Sequence, residues 1–545
     1  MRNTILKLAL GTAVCAVVAA LPVAAAHAAD ATIPLSANCA SLKGFAIPAS
    51  AIGLPTGGAT VETAVAVKSS EPKNVDGDFC KVTGIIKNAT ASTAVFEFEV
   101  NLPDEWNGRA LQMGGGGYDG SLVNALGPYT LQPAGEATPL KDGYVTLGSN
   151  GGHRGGPGFD GTFGLDDEAL LNYGKESIKK AHDVAMAIVK KAYGRAPQRS
   201  YFIGGSQGGH EALDAAARYP DDYDGVVAHF PAYNVTMLHL GSWNVGRALY
   251  ADNGAGWMDA AHVKLLTDAV FAKCDTLDGV KDGIISNVRG CDAAFDVKTL
   301  RCPNGSTGDS CLSDAQLKAV ATISSDYKPG VPVAGMTTFP KWALLEGATF
   351  SGPSNFGKVR QPSNPLSGKE PLLYSAGDGT IKFIITRDPK FDTLHFDPKK
   401  YKDRIATAAS IMDVTDQSLE RFRAKGGKII MTHGTADDFI TPHNSIAYYK
   451  RQVAQFGQSR LDSFMRFYEI PGMGHGFGVF NGKFDSLPAL EQWVENGKAP
   501  AGLTVMDGNP HANRTRPLCE YPKYPKFIGV AGTENSAASF TCVEK

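Results

Sequence analysis

The sequence contains no Cys-x-x-Cys pair, no excess of charge of either sign and, beyond its first 26 residues, no long apolar run. Without the paired-cysteine spacing, a structural zinc site is not expected. Fifty-three Lys and Arg stand against 55 Asp and Glu, a formal net charge of −2, which offers no electrostatic footprint for nucleic acid. A spanning helix needs roughly 18 consecutive apolar residues, and no segment after the N-terminus supplies them. Glycine is abundant at 62 of 545 residues, but with no Gly-X-Y period a collagen-like fibre is excluded. With 43% hydrophobic and 20% charged residues the chain is not a disordered polyelectrolyte either. Its length exceeds what one core usually supports, so a large domain with an insertion or a second domain is expected.

What is present begins with an export signal over residues 1–28. Arg2 and Lys7 give a basic start, an apolar stretch follows to about Ala26, and Ala26-His27-Ala28 is a small-residue cleavage site. A soluble chain in the periplasm or medium, with no membrane contact after cleavage, is the expectation. Cys15 lies in the leader; Cys39, Cys80, Cys274, Cys291, Cys302, Cys311, Cys519 and Cys542 remain. An even number in an exported chain reads as a disulfide framework, for which sequence alone permits many connectivities. Their distribution suggests pairing between neighbours: 39 with 80, 274 with 291, 302 with 311, and 519 with 542.

Gly204-Gly205-Ser206-Gln207-Gly208 matches the G-x-S-x-G nucleophile elbow. Composition alone predicts roughly 0.4 chance occurrences, so context decides. Upstream, Ile178, Ala181, Val184, Ala185, Ile188 and Ala192 recur at helical spacing. Ser200-Tyr201-Phe202-Ile203 reads as a short buried strand, and the Ala-rich stretch from Glu211 to Arg218 as a helix stopped by Pro220. Helix, strand, tight turn, helix is the setting an elbow requires.

A nucleophilic serine needs a base, and the base an orienting carboxylate. A strand at Lys428–Met431 runs into His433-Gly434-Thr435-Ala436-Asp437, and another at Phe464–Ile470 into Pro471-Gly472-Met473-Gly474-His475-Gly476. Ser206, Asp437 and His475 fall in the chain order of α/β-hydrolases. His433 and His443 are rival histidines near the acid, and Asp438 competes with Asp437. Met113-Gly114-Gly115-Gly116-Gly117-Tyr118 follows a strand at Ala110–Gln112, a position from which Gly117 or Gly116 could lend its N–H to an oxyanion hole with that of Gln207. A phosphate cradle is disfavoured because no G-K-[ST] follows.

Between Ser206 and Asp437 lie far more residues than two or three βα units occupy, so an insertion over about Asn234 to Val414 is expected. It contains Cys274-Asp275-Thr276-Leu277-Asp278-Gly279-Val280-Lys281-Asp282-Gly283-Ile284, closed by Cys291. Three carboxylates among glycine turns suit a hard cation with oxygen ligands, although the spacing is not that of an EF-hand. Calcium is favoured over magnesium because carbonyls such as those of Val280 and Ile284 can join a flexible cage.

Taken together, several segments resemble the tannase and feruloyl esterase family, which includes the mono(2-hydroxyethyl) terephthalate hydrolases. They are Trp106-Asn107-Gly108-Arg109, Ser200-Tyr201-Phe202 with Gly208-Gly209, Arg218-Tyr219-Pro220 with Asp224-Gly225, the acidic loop, Gly426-Gly427-Lys428, the His433–Asp437 segment, and Trp493-Val494-Glu495-Asn496-Gly497 to Pro500. The resemblance implies an α/β fold: an α/β-hydrolase core over 29–233 and 415–545, with a lid domain at 234–414. It implies Ser206 as nucleophile, Asp437 as orienter and His475 as base. It also implies a structural calcium ion in the lid, held by Asp275, Asp278, Val280 O, Asp282 and Ile284 O.

The implied partner is a small aromatic ester, galloyl, hydroxycinnamoyl or terephthaloyl. Phe339, Trp342, Phe350 and Phe356 are lid aromatics that could line its pocket, and Arg387 or Arg404 could meet a second carboxylate. Two departures stand out. The family's cysteines before the nucleophile and after the histidine, joined as a disulfide, are here Gly205 and Gly476, and Gln207 with His210 replace a common Thr and Arg. The glycine pair predicts a looser but active site. A peptidase or acyltransferase with the same triad, and an inactive exported binding protein, are the rival readings.

Overall fold

The computed structural model describes Met1 and residues 35–544 apart from 157–158, 353–354 and 416–417. The expected export signal lies outside the described residues. Ten strands form one sheet: β1 (Ala46–Ile47), β2 (Ala59–Val67), β3 (Phe79–Ile86), β4 (Phe96–Pro103), β5 (Arg109–Met113), β6 (Val145–Ser149), β7 (Arg199–Gly205), β8 (Gly225–His229), β9 (Lys428–Gly434) and β10 (Met465–Ile470). Their order is β1-β2-β3-β4-β6-β5-β7-β8-β9-β10. The first four strands and β6 pair antiparallel, while β6-β5-β7-β8-β9-β10 run parallel. The fold is α/β, of the α/β-hydrolase kind.

The parallel half is buried on both faces, as crossover connections require. On β7, Phe202 packs with Ala212, Leu213, Val226 and Ile429, while Tyr201 and Ile203 turn to Val227, Ile430, Leu490 and Trp493. The helix before it, α1 (Ser177–Tyr193), buries Ile178, Ala181, Val184, Ala185, Ile188 and Val189 as one stripe and ends on Gly194, whose φ of 73° gives the left-handed cap. The helix after it, α2 (Gln207–Arg218), starts one residue past the serine, four residues earlier than the Ala-rich pattern indicates. The opposite face of the sheet is covered by a later helix, Ser486–Asn496, through Leu487, Leu490 and Trp493.

The described residues between β8 and β9 add no strand to the sheet, and many of them pack around Trp243, Phe339, Phe350, Tyr374 and Met412, together with Tyr118, Phe163 and Tyr173. Phe339, Trp342, Phe350 and Phe356 are each 3% exposed or less. They belong to the hydrophobic core that holds the insertion together. Four disulfides join Cys39 to Cys80, Cys274 to Cys291, Cys302 to Cys311, and Cys519 to Cys542. Among the described residues no helix is long and apolar enough to cross a membrane.

Leu490 is fully buried against the sheet, and a Cβ placed on Gly225 of β8 would lie 3.0 Å from its side chain. Truncation as Leu490→Ala leaves a cavity that so close-packed a site cannot collapse. A loss of about 2–5 kcal/mol is expected, read as a lowered urea midpoint; an unchanged midpoint would contradict this packing.

Candidate active site

The carboxyl ends of β5, β7, β9 and β10 carry the groups singled out in the sequence, at the edge where open parallel sheets hold their ligands. Ser206 occupies the turn between β7 and α2 with φ 61° and ψ −119°, a conformation unfavourable for a residue with a Cβ. Hydrogen bonds hold it there. Its N–H donates to the His229 carbonyl at 3.0 Å, and its own carbonyl accepts from the N–H of His210 at 3.0 Å and of Ala232 at 3.1 Å.

The tightness of this turn explains the glycines around it. A Cβ on Gly204 would lie 2.5 Å from the backbone of Gly208, and one on Gly114 would lie 2.5 Å from Gly208 Cα. Only glycine lets the β5 loop, β7 and the start of α2 meet backbone to backbone. Gly208 donates its N–H to the Gly115 carbonyl at 3.0 Å, which places the glycine run beside the N-terminus of α2.

Asp437 follows β9 and is fully buried. Its Oδ1 accepts from the N–H groups of Phe439 at 2.8 Å and Ile440 at 2.9 Å, and its Oδ2 accepts from His475 Nδ1 at 2.8 Å. Burial alone would raise this carboxyl, but the His475 and His433 rings beside it outweigh that and hold it well below the usual carboxylate range. With Nδ1 committed to the Asp437 carboxylate, Nε2 is the His475 ring nitrogen left to meet another group. The loops after β9 and β10 approach so closely that a Cβ on Gly434 would sit 2.1 Å from the Met473 carbonyl.

The rival residues are accounted for. His433 is fully buried, with Nδ1 2.7 Å from Ser445 Oγ and Nε2 2.8 Å from the Ile440 carbonyl, so it braces the acid loop. His443 Nε2 lies 2.8 Å from Glu346 of the insertion. The carboxylate that meets His475 Nδ1 is that of Asp437, at 2.8 Å. The Arg387 guanidinium is paired with Asp167 and donates to the Leu165 carbonyl. Arg404 donates to the carbonyls of Ile384 at 3.0 Å and Ile385 at 3.3 Å.

Other residues at this edge gave no signal in the sequence. The Tyr173 hydroxyl, on a π-helical turn at Asn172–Glu176, lies 3.3 Å from both the Gly117 carbonyl and Gln207 Oε1. One phenol therefore ties together the two segments that carry the candidate oxyanion donors. Phe159 and Phe439 are half-buried rings 5.4 Å apart; Phe439 stands 5.2 Å from His475, and a Cβ on Gly117 would come within 3.9 Å of Phe159. The Phe230 ring lies 4.7 Å from the His475 ring, tilted by 53°, and takes the space a Cβ on Gly205 would need, whereas a Cβ on Gly476 would meet it at an ordinary 3.7 Å.

Beneath the glycine run, Glu211 accepts the Gly115 N–H at 2.9 Å and its carboxyl meets that of Asp119. Burial pushes Asp119 up to about 7 and, with the Asp119 charge beside it, pushes Glu211 up as well. Two carboxyls buried side by side favour the protonated form.

The acidic loop is bracketed by the Cys274–Cys291 bridge. Asp275 Oδ1 accepts from the Gly283 N–H at 2.9 Å, and Asp282 Oδ1 from the Ile284 N–H at 2.9 Å. The other Asp282 oxygen is paired with the buried Arg516 guanidinium. Asp278 Oδ2 is buried without a hydrogen-bond partner, and burial pushes its carboxyl up to about 6. An orphaned buried oxygen among oxygen donors fits a hard cation. The acid groupings whose ligand atoms all lie within 4.8 Å of one another are elsewhere, at His182/Asp183/Asp222 and Asp259/His262/Asp309. In the first of these, Lys179 already neutralises both carboxylates at 2.7 and 3.0 Å.

Residues 80–543 match the family model described as tannase and feruloyl esterase. The chain is 38% identical to an uncharacterized esterase of Agrobacterium fabrum over 93% of each chain. It is 32% identical to the mono(2-hydroxyethyl) terephthalate hydrolase of Piscinibacter sakaiensis, over 89% of this chain and 88% of that one. In fold it is similar to feruloyl esterase B from Aspergillus oryzae, with a TM-score of 0.75 at 24% identity, covering 93% of this chain and all of the other.

The raised Asp119 and Glu211 carboxyls give stability a signed pH dependence. Raised carboxyl values mean that the stabilisation is fully present below the ordinary carboxylate range, about pH 4, and is lost as pH rises through about 7 for Asp119. In Asp119→Asn the amide can donate to Glu211 without a titrating proton. The fall in melting temperature between pH 5 and pH 8 should therefore be smaller than in the parent by scanning calorimetry; equal slopes would contradict the raised Asp119 carboxyl.

Proposed function

Because the chain belongs to the tannase and feruloyl esterase family and is a carboxylic ester hydrolase, we propose that it cleaves esters of aromatic carboxylic acids through an acyl-enzyme on Ser206. The observation that carries this is the 2.8 Å hydrogen bond from His475 to a buried, ionised Asp437 at the sheet edge where Ser206 sits in its strained turn. His475 Nε2 takes the Ser206 proton as Oγ attacks the ester carbonyl, and Asp437 stabilises the imidazolium that forms. The N–H groups of Gly117 and Gln207 receive the oxyanion. The imidazolium returns its proton to the departing alcohol. Water, deprotonated by the same nitrogen, then releases the acid and frees Ser206.

The Phe159 and Phe439 rings beside Gly117 and His475 suit a flat aromatic acyl group. Arg387 and Arg404 are both engaged with the protein's own groups, which favours an uncharged gallic or hydroxycinnamic acyl ring over a terephthalate half-ester. Likeness to the Piscinibacter sakaiensis enzyme keeps the half-ester as the second reading. Export to an oxidising compartment is part of the proposal, supported by the basic-apolar start of the chain and by four disulfides.

A structural calcium ion would be held by Asp275, Asp278 and Asp282 with the Val280 and Ile284 carbonyls. Its charge would compensate the buried Asp278 carboxylate and brace the loop, with no part in bond cleavage.

Ser206→Ala is expected to lower ester hydrolysis by at least about a thousandfold and to abolish labelling by a serine-directed fluorophosphonate. Near-normal turnover would refute the nucleophile. Methyl gallate, methyl ferulate and mono(2-hydroxyethyl) terephthalate, compared by kcat/KM, decide the acyl group; preference for the half-ester would select the second reading. Chelation with EGTA should lower the melting temperature by several degrees and added Ca2+ should restore it. A melting curve indifferent to both would remove the calcium.

A further inference from the structure

Phe230 is the first residue after β8 and has a φ of +35°, an unusual conformation for a bulky side chain. It is held there from both sides. Its N–H donates to the Thr432 carbonyl of β9 at 2.6 Å, and its neighbours His229 and Ala232 exchange backbone hydrogen bonds with Ser206. Strain that persists because its surroundings over-determine it is a mark of a functional position.

The ring is 5% exposed and lies 4.7 Å from His475 and 6.4 Å from His433. A Cβ on Gly205, the residue before the nucleophile, would lie 2.7 and 2.8 Å from two ring carbons; one on Gly476, the residue after the base, would lie 3.7 Å from the ring tip. Gly476 has a φ of +79°, which by itself favours glycine. Gly205 is not among the residues of positive φ, so the space taken by the Phe230 ring, with Thr130 Cγ2 at 2.9 Å, accounts for its lack of a side chain. A single ring thus touches the nucleophile turn on one side and the imidazole on the other.

We infer that Phe230 is a positioning residue, whose ring sets the imidazole of His475 against Ser206 by filling the space between their two loops. This rests on the assignment of Ser206 and His475 as nucleophile and base. The physical warrant is close packing: a rigid ring with van der Waals neighbours on both sides transmits the position of one loop to the other, whereas a void lets both relax. Small errors in that spacing weigh directly on the rate of the chemical step.

The test uses the full mature enzyme and hydrolysis of p-nitrophenyl butyrate, with kcat, KM and melting temperature measured for each variant. Phe230→Ala should lose at least tenfold in kcat, keep KM within threefold, and label with fluorophosphonate correspondingly more slowly at temperatures well below its melting point. Phe230→Leu, which still fills part of the space, should recover part of the loss. Gly205→Ala should lose kcat by displacing the ring, and adding Phe230→Ala to it should raise kcat above that of Gly205→Ala alone.

A kcat within twofold of the parent for folded Phe230→Ala would overturn the inference, as would losses confined to KM or melting temperature. Should Phe230→Ala not fold, Phe230→Leu and Gly205→Ala decide: parental kcat in both overturns it. If Ser206→Ala is inactive while the Phe230 variants keep full kcat, only the positioning role falls. If Ser206→Ala stays active, the nucleophile itself was wrong.

Discussion

The arrangement of the site turns on one buried carboxylate. Asp437 has no contact with solvent, so its charge must be met by donors fixed in place: two backbone N–H groups from its own loop and the Nδ1–H of His475 from the next. That demand draws the loops after β9 and β10 together until Gly434 and Met473 meet backbone to backbone. It also fixes the tautomer of His475, and with it the direction in which Nε2 can accept a proton. The second histidine, His433, is tied to Ser445 and Ile440 and closes the same cage from behind.

The Ser206 side is built on a different principle, exclusion of side chains. Gly114, Gly204 and Gly208 let three segments pack with no Cβ between them, bringing the glycine run to the N-terminus of α2. Tyr173 then links Gly117 to Gln207, and the buried Asp119–Glu211 pair supports the run from below. Phe230 joins the two halves: its backbone is clamped between Ser206 and β9, and its ring lies on His475. The room at Gly205, which in the sequence suggests looseness, is occupied by the Phe230 ring.

Much of the core was legible before any coordinates. Strand β7 and helix α1 declare themselves through a short run of buried residues and a 3.6-residue apolar stripe, because both are local patterns facing a continuous core. The first turn of α2 precedes its Ala-rich pattern, since Gln207-Gly208-Gly209 has poor helix propensity and is made helical by packing beneath the β5 loop. Aromatic residues of the insertion were harder: Phe339, Trp342, Phe350 and Phe356 look alike as core or as pocket wall, and burial alone assigns them to the core. Arg387 and Arg404 were likewise free in the sequence and are engaged in the fold.

What the sequence by itself determined is the chemistry available: a serine in an elbow, an acid and a histidine in hydrolase order, and oxygen donors in one loop. These rest on residue identity and short spacing, which folding does not alter. The tertiary structure decided that His475 Nδ1 reaches Asp437 at 2.8 Å while His433 Nε2 lies behind it at 3.3 Å, that Tyr173 spans the Gly117 and Gln207 segments, that the Asp119 and Glu211 carboxyls meet, and that Phe230 takes up the space of a side chain at Gly205. Each is a contact between residues remote in the chain. Only the closure of the sheet, which brings the ends of β5, β7, β8, β9 and β10 to one edge, converts those separations into distances of a few ångströms.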